Sequence, residues 1–109
     1  MHELAIAESV VGTVTERLPD AKVTRVHLEI GVLSGVVPDS IRFCFDLATE
    51  GTAMEGAELE ITEQPARCRC RDCGTEFQPE GTILLCACGS ADIAVLGGEE
   101  LNILSVSVA

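Results

Sequence analysis

Five of the chain's six cysteines fall in two clusters, Cys68-Arg-Cys70-Arg-Asp-Cys73-Gly74 and Cys86-Ala-Cys88-Gly89-Ser90. Two residues separate Cys70 from Cys73, the gap of a metal knuckle. In such a turn both sulfurs face one ion, and a following glycine takes φ > 0 so that backbone N–H groups point at the thiolates. The stretch between Cys73 and Cys86 is long enough for a short excursion and return. The pattern predicts that Cys70, Cys73, Cys86 and Cys88 hold one Zn²⁺. A single residue separates Cys86 from Cys88, a tighter bite that leaves Cys68 as an alternative ligand. The simpler reading makes Cys68 a spare thiol beside the site, and Cys44, in a helical pattern, a small core residue.

His2 is one of two histidines in the chain. The α-amine of Met1, the backbone nitrogen of His2 and its imidazole can close fused chelate rings on one ion. The amide or carboxylate of Glu3 could complete the set. Planar, nitrogen-rich coordination of this kind suits Ni(II) or Cu(II). An imidazole must be neutral to bind, and a free one titrates near pH ~6.5, so acid should release such an ion. His27 falls on the polar side of an alternating segment and reads as a solvated strand residue.

The chain has 109 residues, enough for one domain carrying a small module. Its formal net charge is −11, from 18 acids against 7 bases. That excludes a nucleic-acid surface: there is no basic stripe, and no Trp or Tyr offers a stacking platform. Arg67, Arg69 and Arg71 form the one positive cluster, read as local balance for the thiolates. Glu3 and Glu8 interrupt what would be the apolar core of a signal peptide, and no run is long enough to span a membrane. The expectation is a cytoplasmic protein with reduced thiols, which favours metal over disulfides.

The remaining elements must position these groups. Leu4, Ala7, Val11, Val14 and Leu18 mark one face of a helix that ends at Pro19-Asp20, with Met1-His2-Glu3 just before it in a short strand. Val26, Leu28 and Ile30 alternate with Arg25, His27 and Glu29, predicting a half-buried strand. Pro38 opens a second helix with Ile41, Cys44, Phe45 and Ala48 on its apolar face, Phe43 and Leu47 alongside, and Gly51 as its stop. Ala57, Leu59 and Ile61 predict another strand. The segments 93–96 and 101–108 read as a hairpin turning at Gly97-Gly98. The fold class is α+β: a small β-sheet with two helices on one face, plus an inserted zinc-ribbon-like four-cysteine module. The expected division is residues 1–65 with 92–109 as one domain and 66–91 as the module.

Taken together, these segments resemble the HypA/HybF family. The resemblance runs end to end, through Met1-His2-Glu3-Leu4, Leu28-Glu29-Ile30-Gly31, Leu33-Ser34-Gly35, Gly56-Ala57-Glu58-Leu59, Cys70-Arg71-Asp72-Cys73-Gly74, Cys88-Gly89-Ser90 and Gly98-Glu99-Glu100-Leu101. It implies a noncatalytic nickel carrier serving [NiFe]-hydrogenase maturation and, in some organisms, urease. Ni²⁺ would be the cargo, held at the N-terminus through His2 with Met1 and Glu3. Zn²⁺ would be structural, in the paired cysteines. The implied partners are a HypB-type GTPase and the hydrogenase large subunit, or urease accessory proteins, with no nucleic acid or membrane and with the chain a monomer or weak homodimer. In some members an acid before the second helix also approaches nickel; Asp39 stands near that place, its register open. The Cys86-Ala-Cys88 spacing departs from the family's two-residue gap.

Two other classes fit parts of the pattern. A rubredoxin-like electron carrier would hold iron in paired Cys-Gly knuckles, but it wraps its metal in aromatics, and only Phe77 is near. A zinc-ribbon interaction module without cargo metal would leave His2 without consequence. A thiol enzyme lacks a base beside its cysteines.

Overall fold

The computed structural model describes residues 2–81 and 83–109. Helix α1 covers Glu3–Arg17 and strand β1 covers Val23–Gly31. A short 3-10 turn (Val32–Ser34) leads to helix α2, Pro38–Thr49. Strands β2 (Glu58–Gln64), β3 (Arg67–Cys70), β4 (Glu76–Phe77), β5 (Ile93–Gly97) and β6 (Leu101–Val108) follow. Among the described residues no helix is long and apolar enough to cross a membrane.

Among the described residues no strand precedes α1, contrary to the sequence expectation, and Glu3 is part of the helix. The Ile6 N–H already donates to the His2 carbonyl at 3.1 Å. Glu3 in the first turn and Arg17 in the last complement the helix dipole. The buried face is Ala7, Val10, Val11 and Val14, a spacing of i, i+3, i+4, i+7. Leu4 and Leu18 lie outside it and are exposed.

Helix α2 begins at Pro38, whose missing N–H would have had no partner in a first turn. It buries Ile41, Phe45 and Thr49, and the Thr49 hydroxyl donates to the Phe45 carbonyl at 3.0 Å. Gly51 follows in the left-handed region at φ 74°, where a β-carbon would be strained.

Strand β1 is the centre of a three-stranded sheet ordered β2-β1-β6, parallel to β2 across α2 and antiparallel to β6. Val26, Leu28 and Ile30 point into the core with Phe45, Ile41 and the buried face of α1. Each fully buried large side chain there contributes about 2 kcal/mol. Arg25, His27 and Glu29 lie on the opposite face. There Arg25 pairs with Glu58 at 3.1 Å, His27 meets the Thr62 hydroxyl at 2.6 Å, and Glu29 accepts from Gln64 and Asn102.

A second antiparallel sheet has the order β4-β3-β5. The expected hairpin between 93–96 and 101–108 therefore does not form: β5 pairs with β3, and β6 pairs with β1. The glycines that suggested a reversal serve a backbone crossing instead. A β-carbon on Gly98, at φ 109°, would lie 2.7 Å from Ala66 Cα, and one on Gly31 would lie 2.1 Å from the Gly98 carbonyl oxygen. The Gly31 N–H donates to the Glu100 carbonyl at 2.7 Å and the Leu33 N–H to the Gly98 carbonyl at 2.6 Å. The segments entering and leaving the second sheet thus pass side by side against the end of β1. The pairing carries the second sheet to Gly97, beyond the expected boundary at residue 92.

Candidate metal centres

Strand β3 alternates, placing Cys68 and Cys70 on one face and Arg67 and Arg69 on the other. From its end the chain turns through Asp72 and Cys73 to Gly74, which has φ 76°. The Gly74 N–H closes this turn on the Cys70 carbonyl at 2.9 Å, and the Cys73 N–H points at Cys70 Sγ, 3.5 Å away. The second turn closes in the same way. Gly89, at φ 92°, donates to the Cys86 carbonyl at 2.9 Å, and the Cys86 N–H donates to the Ser90 carbonyl at 2.9 Å. Each cluster therefore uses its glycine as the sequence suggested.

The two turns face each other. The sulfurs of Cys70, Cys73, Cys86 and Cys88 all lie within 4.8 Å of one another. Cys70 and Cys88 are 3.7 Å apart, and Cys73 and Cys86 are 3.6 Å apart. A tetrahedral zinc site with Zn–S bonds of about 2.3 Å has sulfur–sulfur edges of about 3.8 Å. The four thiols are thus spaced to receive one tetrahedral ion, and the short Cys86-Ala-Cys88 gap does not prevent it. Bound there, zinc would cross-link the two turns as a closed structural centre.

The thiols differ in acidity. The Thr75 hydroxyl, then its backbone N–H, and then the Cys86 and Cys70 thiols lower the Cys73 pKa to about 6. At Cys88 the Ser90 N–H favours the thiolate, but the neighbouring Cys86 and Cys70 thiols outweigh it and push the pKa up to about 12. Without metal, Cys73 is the thiol disposed to ionise and Cys88 the one disposed to keep its proton; a divalent cation displaces thiol protons on binding. Around the group, Arg71 pairs with Asp92 at 2.8 Å, the Ser90 hydroxyl donates to Asp72, and the Asp92 N–H donates to the Ser90 hydroxyl at 3.1 Å. Arg71 thus balances a carboxylate rather than the thiols, unlike the sequence expectation.

Cys68 is fully buried between its strand partners Phe77 and Val95 and is not among the four converging thiols. Cys44 packs, partly buried, against the core of the first sheet.

At the other candidate centre, His2 is exposed at the N-cap of α1, and its imidazole does not cap the helix. It borders an apolar groove of about 490 Å³ between α1 and β6, lined by Ala5, Ile6, Val10, Leu101 and Ile103. The Glu3 carboxylate accepts the Val37 N–H at 3.4 Å, which ties the start of α1 to the start of α2. That contact uses one carboxylate oxygen, Oε2, and leaves the other carboxylate oxygen and the backbone nitrogen of Glu3 open to a ligand. The contact spans 34 positions, and no local pattern in the sequence signals it. Met1, the other expected ligand, lies outside the described residues. His27 stays on the open face of the first sheet against Thr62.

Residues 1–108 match the family model described as "Hydrogenase/urease nickel incorporation, metallochaperone, hypA". The chain is 49% identical over 108 residues to a hydrogenase maturation factor HypA of Nostoc punctiforme, covering 99% of this chain and 96% of that one. It is 47% identical to the HypA of Geotalea daltonii, covering 99% of each chain. Among solved structures, its fold is similar to the solution structure of the Ni metallochaperone HypA from Helicobacter pylori. There the TM-score is 0.68 at 24% identity, over 99% of this chain and 97% of the other. A solution structure of a HypA protein matches with a TM-score of 0.70 at 25% identity, over 100% and 97%.

Proposed function

We propose a nickel-carrying role from a plain premise: the chain belongs to the HypA family of hydrogenase/urease nickel-incorporation metallochaperones. It is a maturation factor, not an enzyme. In this reading Ni(II) binds through the His2 imidazole, the backbone nitrogens of His2 and Glu3 and the amine of Met1, and is handed on during [NiFe]-hydrogenase maturation, with urease as a second recipient system. The four thiols of Cys70, Cys73, Cys86 and Cys88 hold structural zinc. The module runs from about residue 66 to residue 97, as the pairing of β3 with β5 suggests. The partners are a HypB-type GTPase and the hydrogenase large subunit, in the cytoplasm.

The observation that carries the zinc part is the near-tetrahedral spacing of the four sulfurs. What supports the nickel part is the placement of His2, exposed and with no capping role to give up. The pairing makes chemical sense for a carrier. A closed four-thiolate centre retains its ion, whereas a site of one imidazole and terminal nitrogens is open and labile.

Calorimetric nickel titration of zinc-loaded protein with a native N-terminus tests this. Wild type should bind about one nickel per chain, and His2→Ala should lose it while keeping zinc. Equal nickel binding by both proteins, or by neither, would leave an interaction module without cargo as the better reading.

A further inference from the structure

The outer face of α2 carries side chains that neither the core nor the metal centres use. Successive helical residues turn by about 100°, so Asp39, Phe43, Asp46, Leu47 and Glu50 share one arc roughly opposite Ile41 and Phe45. All five are exposed. Phe43 is 66% exposed and Leu47 46%, and at i, i+4 they sit one above the other as a single apolar ridge. Asp39, Asp46 and Glu50 run down one flank of that ridge.

None of the three acids takes part in an ion pair among the described residues. Arg42, the one cation of α2, borders a pocket together with Asp46 but donates to the Leu59 carbonyl on β2. A lone exposed apolar residue is ordinary, but an aromatic and a leucine one turn apart beside a row of unpaired acids is the form of a helix that docks into a groove.

We propose that this face of α2 docks the protein that exchanges nickel with this chain. The partner would present an apolar cleft for Phe43 and Leu47, bordered by Lys or Arg facing Asp39, Asp46 and Glu50. The inference rests on the nickel-carrying role proposed above. Charge selects the occupant. A second copy would bring another net charge of −11, and a two-fold contact would set the same acids against one another. A basic partner instead gains attraction and a faster encounter. Place supports the link to nickel: Val37, just before α2, is bonded to Glu3, so the ridge starts beside the N-terminal centre.

The test uses the full-length, zinc-loaded chain with purified HypB-type GTPase and purified hydrogenase large subunit. Affinity is measured at low and high salt for wild type, F43S/L47S and D46K/E50K. One of the two partners should bind wild type, and the serine variant should weaken that binding about tenfold or more. The lysine variant should weaken it too and should abolish or reverse its salt dependence. Circular dichroism and nickel titration of both variants should match wild type. The proposal is overturned if both variants bind as wild type does, or if wild type binds neither protein. It is also overturned if sedimentation shows a wild-type homodimer that the serine variant breaks, since a second copy would then occupy the ridge. Nickel binding is read on the same samples. Loss of nickel in wild type condemns the carrier reading, whereas retained nickel with unmoved partner affinity condemns only the docking surface.

Discussion

Gly31→Ala should be among the most damaging single-methyl changes available in this chain. The new β-carbon would lie 2.1 Å from the Gly98 carbonyl oxygen, 2.2 Å from its carbon and 2.6 Å from the Glu100 nitrogen. All three are backbone atoms, so no side chain can swing aside. The crossing segment 98–100 must move, and with it the bonds from the Gly31 N–H to Glu100 and from the Leu33 N–H to Gly98. Overpacking costs about 1–3 kcal/mol, and each weakened hydrogen bond adds about 0.5–1.5 kcal/mol. The expected loss is about 3 kcal/mol, which for a domain of this size lowers Tm by about 10–20 °C. Gly12→Ala is the control of opposite sign. Gly12 lies on the exposed side of α1 with nothing within 4 Å of a β-carbon, so alanine should stabilise by about 0.5–1 kcal/mol. Urea and thermal melts of the zinc-loaded proteins by circular dichroism read both. A Gly31→Ala variant within about 1 kcal/mol of wild type in the same buffer, about a third of the total loss expected, would refute the close crossing of the two segments.

Further expectations follow from the same geometry. Cys68→Ala should keep one zinc per chain and Cys86→Ser should lose it; elemental analysis reporting the reverse would make Cys68 the fourth ligand. Zinc removal should melt the second sheet while the first survives, because among the described residues the buried apolar ones outside the first core reduce to Ala66, Cys68, Cys70 and Cys86. Amide spectra that keep β3 and β5 dispersed after chelation would contradict this. In the metal-free protein Cys73 should alkylate first. Its thiolate is the stabilised form, so its reactivity should be present above about pH 6 and lost as pH falls through that value. Thr75→Val should shift that midpoint upward, and earlier labelling at Cys88 in a mass-spectrometric map would show the acidities to be misassigned.

What could be read in advance was local. The alternation of Val26, Leu28 and Ile30 defines β1, Pro38 and Gly51 bracket α2, and the cysteine spacings with their glycines give the four converging thiols. What could not be read depends on contacts remote in sequence. Ile93–Gly97 is an apolar run that could join any nearby strand. Its choice of β3 follows from the crossing of Gly98 over Ala66 and Gly31, which no local pattern encodes. Phe43 and Leu47 look like core residues by type, yet their angle around α2 turns them outward. Glu3 reads as a possible ligand, and only the fold shows its carboxylate engaged by Val37.

Metal analysis of three proteins after equilibration with both ions tests the central claim most directly: wild type, His2→Ala and Cys73→Ser, each with its native N-terminus. Two independent centres predict about one zinc and one nickel in wild type, zinc alone in His2→Ala, and nickel without firmly held zinc in Cys73→Ser. Nickel that disappears with Cys73 and survives the loss of His2 would place the cargo among the thiols and contradict the division of roles between the two ends of the chain.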